Sequence, residues 1–411
     1  MASDHDDFVL EFGVGSGNFR KDVVDLPVVR ELVDEFQLHF DLLAVLDETD
    51  HASVILDGHH DLGDRFRISG GVGHTGSADN IEGAPAVDDA ERFFGSEEFR
   101  LADLGYRDTF VHDGWLAGST LGDLMETYLD RLTGEHVFDG WGQQFPFQIR
   151  RIKVEGKMPL RVSPDDETAR DRYDHLGKEK LWYVADAGKG SRLLIGFRRD
   201  TDASELYAEC LEGNPVKLLN TLEPRAGQFF YIPAGTPHCA FGPMTIVEVS
   251  ESSALDFCLC GWGNDMGDEF DETLSIIDAL DFIKYDQYPE MLLSGRAGGD
   301  AANAKSSSVP GVENLLQLPQ FTVNRINLRQ ALSIGNAESE ACIAYTSIKG
   351  SFEIQTTPEV SPDSERLLTA TEGETVLIPA ECPSFILAPR SSDAILLEVM
   401  VEAKMADTEL F

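Results

Sequence analysis

The residues of this chain that could do chemistry gather in four short stretches. The most informative is Glu223 to Gly242, EPRAGQFFYIPAGTPHCAFG. Phe229 to Ile232 reads as a strand that ends in a tight turn. Gly235 permits the turn and Pro237 stiffens it, so His238 is aimed at one place. A histidine fixed in this way can ligate a metal or carry a proton. Upstream, LGKEKLWYV carries Lys178 and Lys180, and LRVSPDD carries Arg161, Ser163 and Asp166. Downstream, Glu248 lies in an apolar strand pattern, and Cys258 and Cys260 follow in DFCLC. Two cysteines two apart on a strand share a face. They either join His238 in a thiolate-rich metal site or are small buried apolar side chains. Gly13-Val14-Gly15-Ser16-Gly17 follows a short strand pattern, but the sixth-position glycine of the dinucleotide fingerprint is absent and no Gly-Lys-Ser/Thr follows. It reads as a turn. The pair His59-His60 has no spaced partners and reads as surface loop.

Taken in order, these stretches have a family likeness. FPFQIRRIKVEGKMPLRVSPDDETA (145–169), LGKEKLWYV (176–184), an acidic helical segment and the His238 turn succeed one another, preceded by DGWLAGSTLGDLMETYLDRLTG (113–134). The set resembles the type I mannose-6-phosphate isomerases of the cupin superfamily. The pair YTSIKGSF (345–352) and TEGETVLIPAECP (371–383) is similar to the smaller second cupin of that family. The likeness covers about residues 106–405.

The resemblance implies aldose–ketose isomerisation of a sugar phosphate, with zinc polarising the carbonyl while a base moves the proton. It implies four zinc ligands, and the matching positions here hold Arg161, Ser163, Lys180 and His238. Of the family's ligands His238 alone is kept, so the expected cofactor is zinc but its ligand set is incomplete. One histidine does not hold zinc, and Arg161 and Lys180 add positive charge where the ion would sit. The cationic pair could instead stabilise an enediolate or hold a phosphate; the alternatives to an isomerase are a non-catalytic cupin that binds a carbohydrate or another ligand as sensor or scaffold, and a structural or assembly protein. By the same resemblance Lys178 and Glu248 are the catalytic candidates, and Arg161, Lys180 and Asp166 the substrate-binding ones. The family's catalytic arginine falls on Cys258. Glu179 could replace Lys180 as a ligand only through a bulge, since strand neighbours face opposite ways.

These residues need a framework that repeats short strands. From 106 to 262, β-patterned runs such as Gln148 to Val154, Leu181 to Val184, Leu193 to Phe197 and Met244 to Val249 are punctuated by turns. Helical stretches interrupt them at Thr120 to Leu132, with Ser119 or Thr120 as cap, and at Ala203 to Leu211 followed by Pro215 to Leu222. Residues 271–285 read as helix and 294–312, SGRAGGDAANAKSSSVPGV, as a linker. Strands return at Ile343 to Ile348, Glu374 to Ile378 and Ala394 to Val401. The expected fold is mainly β, a double cupin of two jelly-roll-like β modules with interleaved helices and an unassigned N-terminal α/β region. The divisions are an N-terminal region (1–105), the first cupin (106–262), a helix and linker (263–312) and the smaller second cupin (313–411). In the first, 8–12 and 42–46 read as strands, 28–40 as helix and 70–83 as loop.

Composition narrows the partners. The net charge is −40, with 33 Lys and Arg against 73 Asp and Glu. Such a surface repels nucleic acid and anionic membrane, so neither is an expected partner. It also repels a sugar phosphate at long range, so a phosphate pocket needs its own Arg or Lys. The expected partner is a sugar phosphate or another small carbohydrate. Six Cys follow no disulfide pattern, the N-terminus lacks the basic and apolar regions of a signal peptide, and no apolar run reaches membrane-span length. A cytoplasmic setting is expected.

Overall fold

The computed structural model describes residues 94–105, 108–112, 116–263, 272–294, 311–335, 341–356, 367–382 and 384–402, together with Leu56–Asp57. All lie in one compact unit, residues 43–411. The readings at 8–12, 13–17, 28–40, 42–46, 59–60 and 70–83, and most of 294–312, fall outside the described residues.

In chain order the N-terminal half contributes β1 (Leu56–Asp57), β2 (Gly95–Leu101), β3 (Phe110–Val111), β4 (Phe147–Val154), β5 (Leu160–Val162), β6 (Lys180–Ala187), β7 (Arg192–Phe197), β8 (Leu219–Leu222), β9 (Phe229–Ile232), β10 (His238–Phe241), β11 (Met244–Glu251) and β12 (Phe257–Cys260). Apart from the small β1–β3 pair, these strands form two five-stranded sheets, β2-β4-β11-β6-β9 and β12-β5-β10-β7-β8. Every described pairing is antiparallel. The sheets face each other across a core that includes Ile152, Val154, Leu160, Val162, Trp182, Val184, Ile195, Ile232, Ile246 and Phe257. β2 comes from the segment read as N-terminal region, yet it is an edge strand of the first module.

The C-terminal half repeats the plan with β13 (Val312–Gln317), β14 (Thr322–Asn327), β15 (Leu332–Gly335), β16 (Ile343–Lys349), β17 (Phe352–Thr356), β18 (Leu367–Ala370), β19 (Thr375–Ile378), β20 (Ser384–Pro389) and β21 (Ile395–Met400). Its sheets run β13-β14-β21-β16-β19 and β15-β20-β17-β18. The mainly β, two-module architecture with interleaved helices is therefore present. No described helix is long and apolar enough to cross a membrane.

The helices are α1 (Leu121–Tyr128), α2 (Asp130–Thr133), α3 (Glu135–Trp141), α4 (Asp166–Tyr173), α5 (Ala203–Leu211) and α6 (Glu272–Ala279). Thr120 caps α1 in a reciprocal box with Asp123. The single helix expected to Leu132 breaks at Leu129, whose φ is +50°. The break turns α2 so that the carbonyls of Arg131, Leu132 and Thr133 accept from the Glu381, Ala380 and Cys342 amides of the second module at 3.1, 2.9 and 3.0 Å. The helix expected over Pro215 to Leu222 is a short 3-10 turn, Pro215–Leu218, followed by β8. Pairing with β7 overrides local propensity there, and Asn220 Nδ2 donates to the carbonyls of Ile195, Gly196 and Phe197.

Candidate functional site

The site is built on strand register. On β4 the alternation that sends Ile152 and Val154 into the core also sends Gln148 and Arg150 inward. Arg150 lies opposite Glu248 on β11, and Glu248 lies opposite Trp182 on β6. Cross-strand neighbours in register can meet, and these do. Arg150 donates to Glu248 Oε1 from Nε at 3.0 Å and from Nη2 at 2.5 Å. Trp182 Nε1 donates to Glu248 Oε2 at 2.7 Å. Lys178 and Lys180 precede Trp182 by four and two residues, so the three share its face.

The opposite sheet brings the second row. Arg161 on β5 lies opposite His238 on β10 and Cys258 on β12. Gly235 makes the turn that delivers His238. Its φ is +78°, and a Cβ there would lie 2.7 Å from the Phe282 carbonyl oxygen, so glycine alone fits without displacement. His238 Nδ1 faces the Thr236 carbonyl at 2.9 Å. A carbonyl only accepts, so that nitrogen carries the proton and Nε2 presents its lone pair inward. Lys180 Nζ meets Nε2 at 3.1 Å. The Trp182 ring packs edge-on against the imidazole, centroids 5.2 Å apart.

The two rows are joined by Asp256, which stands just before β12. Its Oδ2 accepts from Lys178 Nζ at 2.8 Å and Arg150 Nη2 at 3.3 Å. Its Oδ1 accepts from Ser163 Oγ at 2.7 Å and from Lys180 Nζ. Glu97 on β2 closes the network, pairing with Arg161 at 2.8 Å and Arg150 at 3.7 Å. Four cationic side chains thus face three carboxylates, all of them buried.

Burial and neighbouring charge set the protonation states. Burial, reinforced by Lys180, pushes the His238 imidazole down to about 3, so it is neutral at pH 7. Burial works against ionised Glu248, but the Arg150 guanidinium overcomes it and holds the carboxyl at about 2. Asp256 is held well below the usual carboxylate range by Lys178, Lys180 and Arg150, again against burial. Burial lowers Lys178 to about 8, with Asp256 opposing the shift.

Chains of this architecture are found among known proteins. No family model matches the chain. A mannose-6-phosphate isomerase of Bacillus subtilis is 25% identical over 182 residues, 44% of this chain and 56% of that protein. One of Streptococcus mutans is 30% identical over 128 residues, 30% of this chain and 40% of that protein. The crystal structure of the mannose 6-phosphate isomerase from Bacillus subtilis superposes with a TM-score of 0.58 at 20% identity, covering 74% of this chain and 89% of that one. The chain is similar to mannose-6-phosphate isomerases over part of its length and shares the fold of their solved structures. Its sequence match spans only about half the length of the curated relatives.

Against the expectations set by the mannose-6-phosphate isomerases, the structure brings Lys178, Lys180, Arg161, Glu248 and His238 into one network. Asp166 stands apart. At the first turn of α4 it accepts from the Gly177 amide at 2.9 Å and from Gln320 of the second module at 3.3 Å. Glu179 also turns away and accepts from Tyr231 Oη at 2.7 Å. Cys258 and Cys260 straddle a bulge, since Cys258 pairs with Arg161 and Cys260 with Leu160, so the simple alternation expected of them is interrupted. Cys260 packs in the apolar core, and the Cys258 amide donates to Ser275 Oγ at 2.9 Å. The residues that the family likeness assigns to zinc, Arg161, Ser163, Lys180 and His238, do not fit the ion as they are bonded here. Guanidinium and ammonium have no lone pair to give, Ser163 donates to Asp256, and Lys180 covers the His238 nitrogen. Among the described residues no three His, Cys, Asp or Glu side chains are grouped to hold a metal.

Arg150, Asp256 and Glu97 are members of the network that residue spacing did not single out. Arg150 had a signal, since its parity with Ile152 and Val154 places it inside. Asp256 precedes its strand and Glu97 belongs to a distant edge strand, so neither carried a local one.

Proposed function

We infer that this chain is a zinc-independent member of the mannose-6-phosphate isomerase lineage that binds an anionic sugar, in the first instance a sugar phosphate, and does not isomerise it through a metal. The observation that carries the reading is Lys180. Its ammonium lies 3.1 Å from the His238 lone pair and pairs with Asp256, so it supplies from within the charge that a divalent ion would bring. Repulsion from it opposes entry of a second cation. The excess of cations over carboxylates in the barrel, inside a chain of net charge −40, supports an anionic ligand. The similarity to mannose-6-phosphate isomerases suggests the phosphorylated sugar. The cysteines in the described structure are all free and buried, which supports a reducing, cytoplasmic setting.

A second reading, a metal-free isomerase, is favoured by Lys178. An amine lowered to about 8 is partly free base near neutrality. It could move a proton between neighbouring carbons while Lys180 stabilises the enediolate.

One set of measurements on the purified chain decides: zinc content, conversion of mannose 6-phosphate to fructose 6-phosphate, and thermal stability with mannose 6-phosphate added. The expected result is no stoichiometric zinc, no turnover and saturable stabilisation. Turnover that a chelator abolishes and His238→Ala removes overturns the inference. Turnover that survives the chelator but not Lys178→Met selects the second reading.

A further inference from the structure

Asp256 is bonded out of proportion to a structural ion pair. One lysine would neutralise it, yet Lys178 Nζ, Lys180 Nζ, Arg150 Nη2 and Ser163 Oγ all converge on its two oxygens. The four donor residues are each no more than 4% exposed. Two ammonium groups, a guanidinium and a hydroxyl around one planar anion is an arrangement that recognises carboxylate or phosphate. The donors are also independent of the acceptor's own segment. Arg150 is on β4, Ser163 directly follows β5, Lys178 precedes β6 and Lys180 opens it, whereas Asp256 comes from the stretch before β12. Without Asp256 the four cations of the network would face only Glu97 and Glu248.

We propose that Lys178, Lys180, Arg150 and Ser163 form an oxyanion seat, that Asp256 is its built-in occupant, and that the carboxylate or phosphate of a bound ligand competes with Asp256 for the same donors. This deepens the sugar-phosphate reading and rests on it for the ligand's identity, but the seat can be tested alone.

The test is chemical rescue. Asp256→Ala opens a cavity the size of a carboxylate among three cations. It is expected to lower Tm, and formate is expected to restore several degrees in a saturable way, beyond sodium chloride at equal ionic strength, while wild type responds to formate no more than to sodium chloride. Asp256→Ala/Lys180→Met removes one charge of each sign. It is expected to fold more readily and to keep a smaller formate response from the remaining donors, so it decides the matter if the single variant does not fold. Inorganic phosphate is the second probe. Rescue by phosphate shows a seat that admits phosphate esters, and rescue by formate alone shows one built for carboxylates. Formate responses no larger than those of wild type, or no larger than those to chloride, in both variants overturn the proposal. Failure of wild type to bind mannose 6-phosphate would count against the ligand reading and leave the seat standing.

Discussion

The protonation state of His238 depends on Lys180, so the imidazole reports on the contact between them. The lysine is the second cause, after burial, of the low imidazole pKa of about 3. Lys180→Met should therefore raise the His238 pKa while leaving it below the ordinary value of 6.5, as read from imidazole NMR shifts across pH. A pKa that stays near 3 would mean the contact is not made in solution. The same histidine gives a stability signature. Between pH 6.5 and about 3 the unfolded chain binds a proton at this position that the folded chain refuses, so stability falls as pH falls through that window. Denaturant titrations should show wild type losing stability relative to His238→Gln over that range and matching its slope above it. Glu248 is a different case, because its removal takes from buried Arg150 its nearest partner and leaves it the longer contacts to Asp256 at 3.3 Å and Glu97 at 3.7 Å. Glu248→Ala should cost about 3–5 kcal/mol, the range for breaking a buried ion pair on one side, by chemical denaturation.

Individual strands and turns decide whether these side chains meet. Gly235→Ala tests one turn. The left-handed backbone costs roughly 1–2 kcal/mol for a residue with a Cβ, and overlap with the Phe282 carbonyl adds to it. The expected outcome is a lower Tm with a displaced His238 pKa, and an unchanged pKa would show that the turn does not aim the ring. At this scale much of the molecule was legible in the sequence. The strands β4, β6 and β11 announce themselves as short β-patterned runs, and Thr120 announces the start of α1. The break at Leu129 and the strand at Leu219–Leu222 do not, because distant partners impose them. The site divides in the same way. His238, Lys178 and Lys180 lie in motifs a few residues long. Glu97 reaches Arg161 across 64 positions and Asp256 reaches Arg150 across 106, and only the pairing of whole strands brings such residues together.

Over the whole molecule two kinds of electrostatics are separated by burial. The barrel network, four cations against three carboxylates, does not account for the chain's net charge of −40, and repulsion among exposed charges is screened by salt, with a Debye length of about 10 Å at 0.1 M and about 3 Å at 1 M. The barrel network is buried and screened far less. Potassium chloride raised from low to molar concentration should therefore stabilise wild type and Glu248→Ala by similar amounts, leaving the difference between them unchanged in denaturant titrations. A difference that shrinks with salt would place the network in contact with solvent. The segment α2 has a consequence of its own. The Arg131, Leu132 and Thr133 carbonyls serve backbone amides of the C-terminal half, and Arg131 makes a two-pronged pair with Glu381. The stretch 295–310, which looks like a place to divide the gene, is then no seam. A protease cut there should leave the fragments co-eluting, and the N-terminal piece expressed alone should be short of the Cys342, Ala380 and Glu381 amides that finish its own helix.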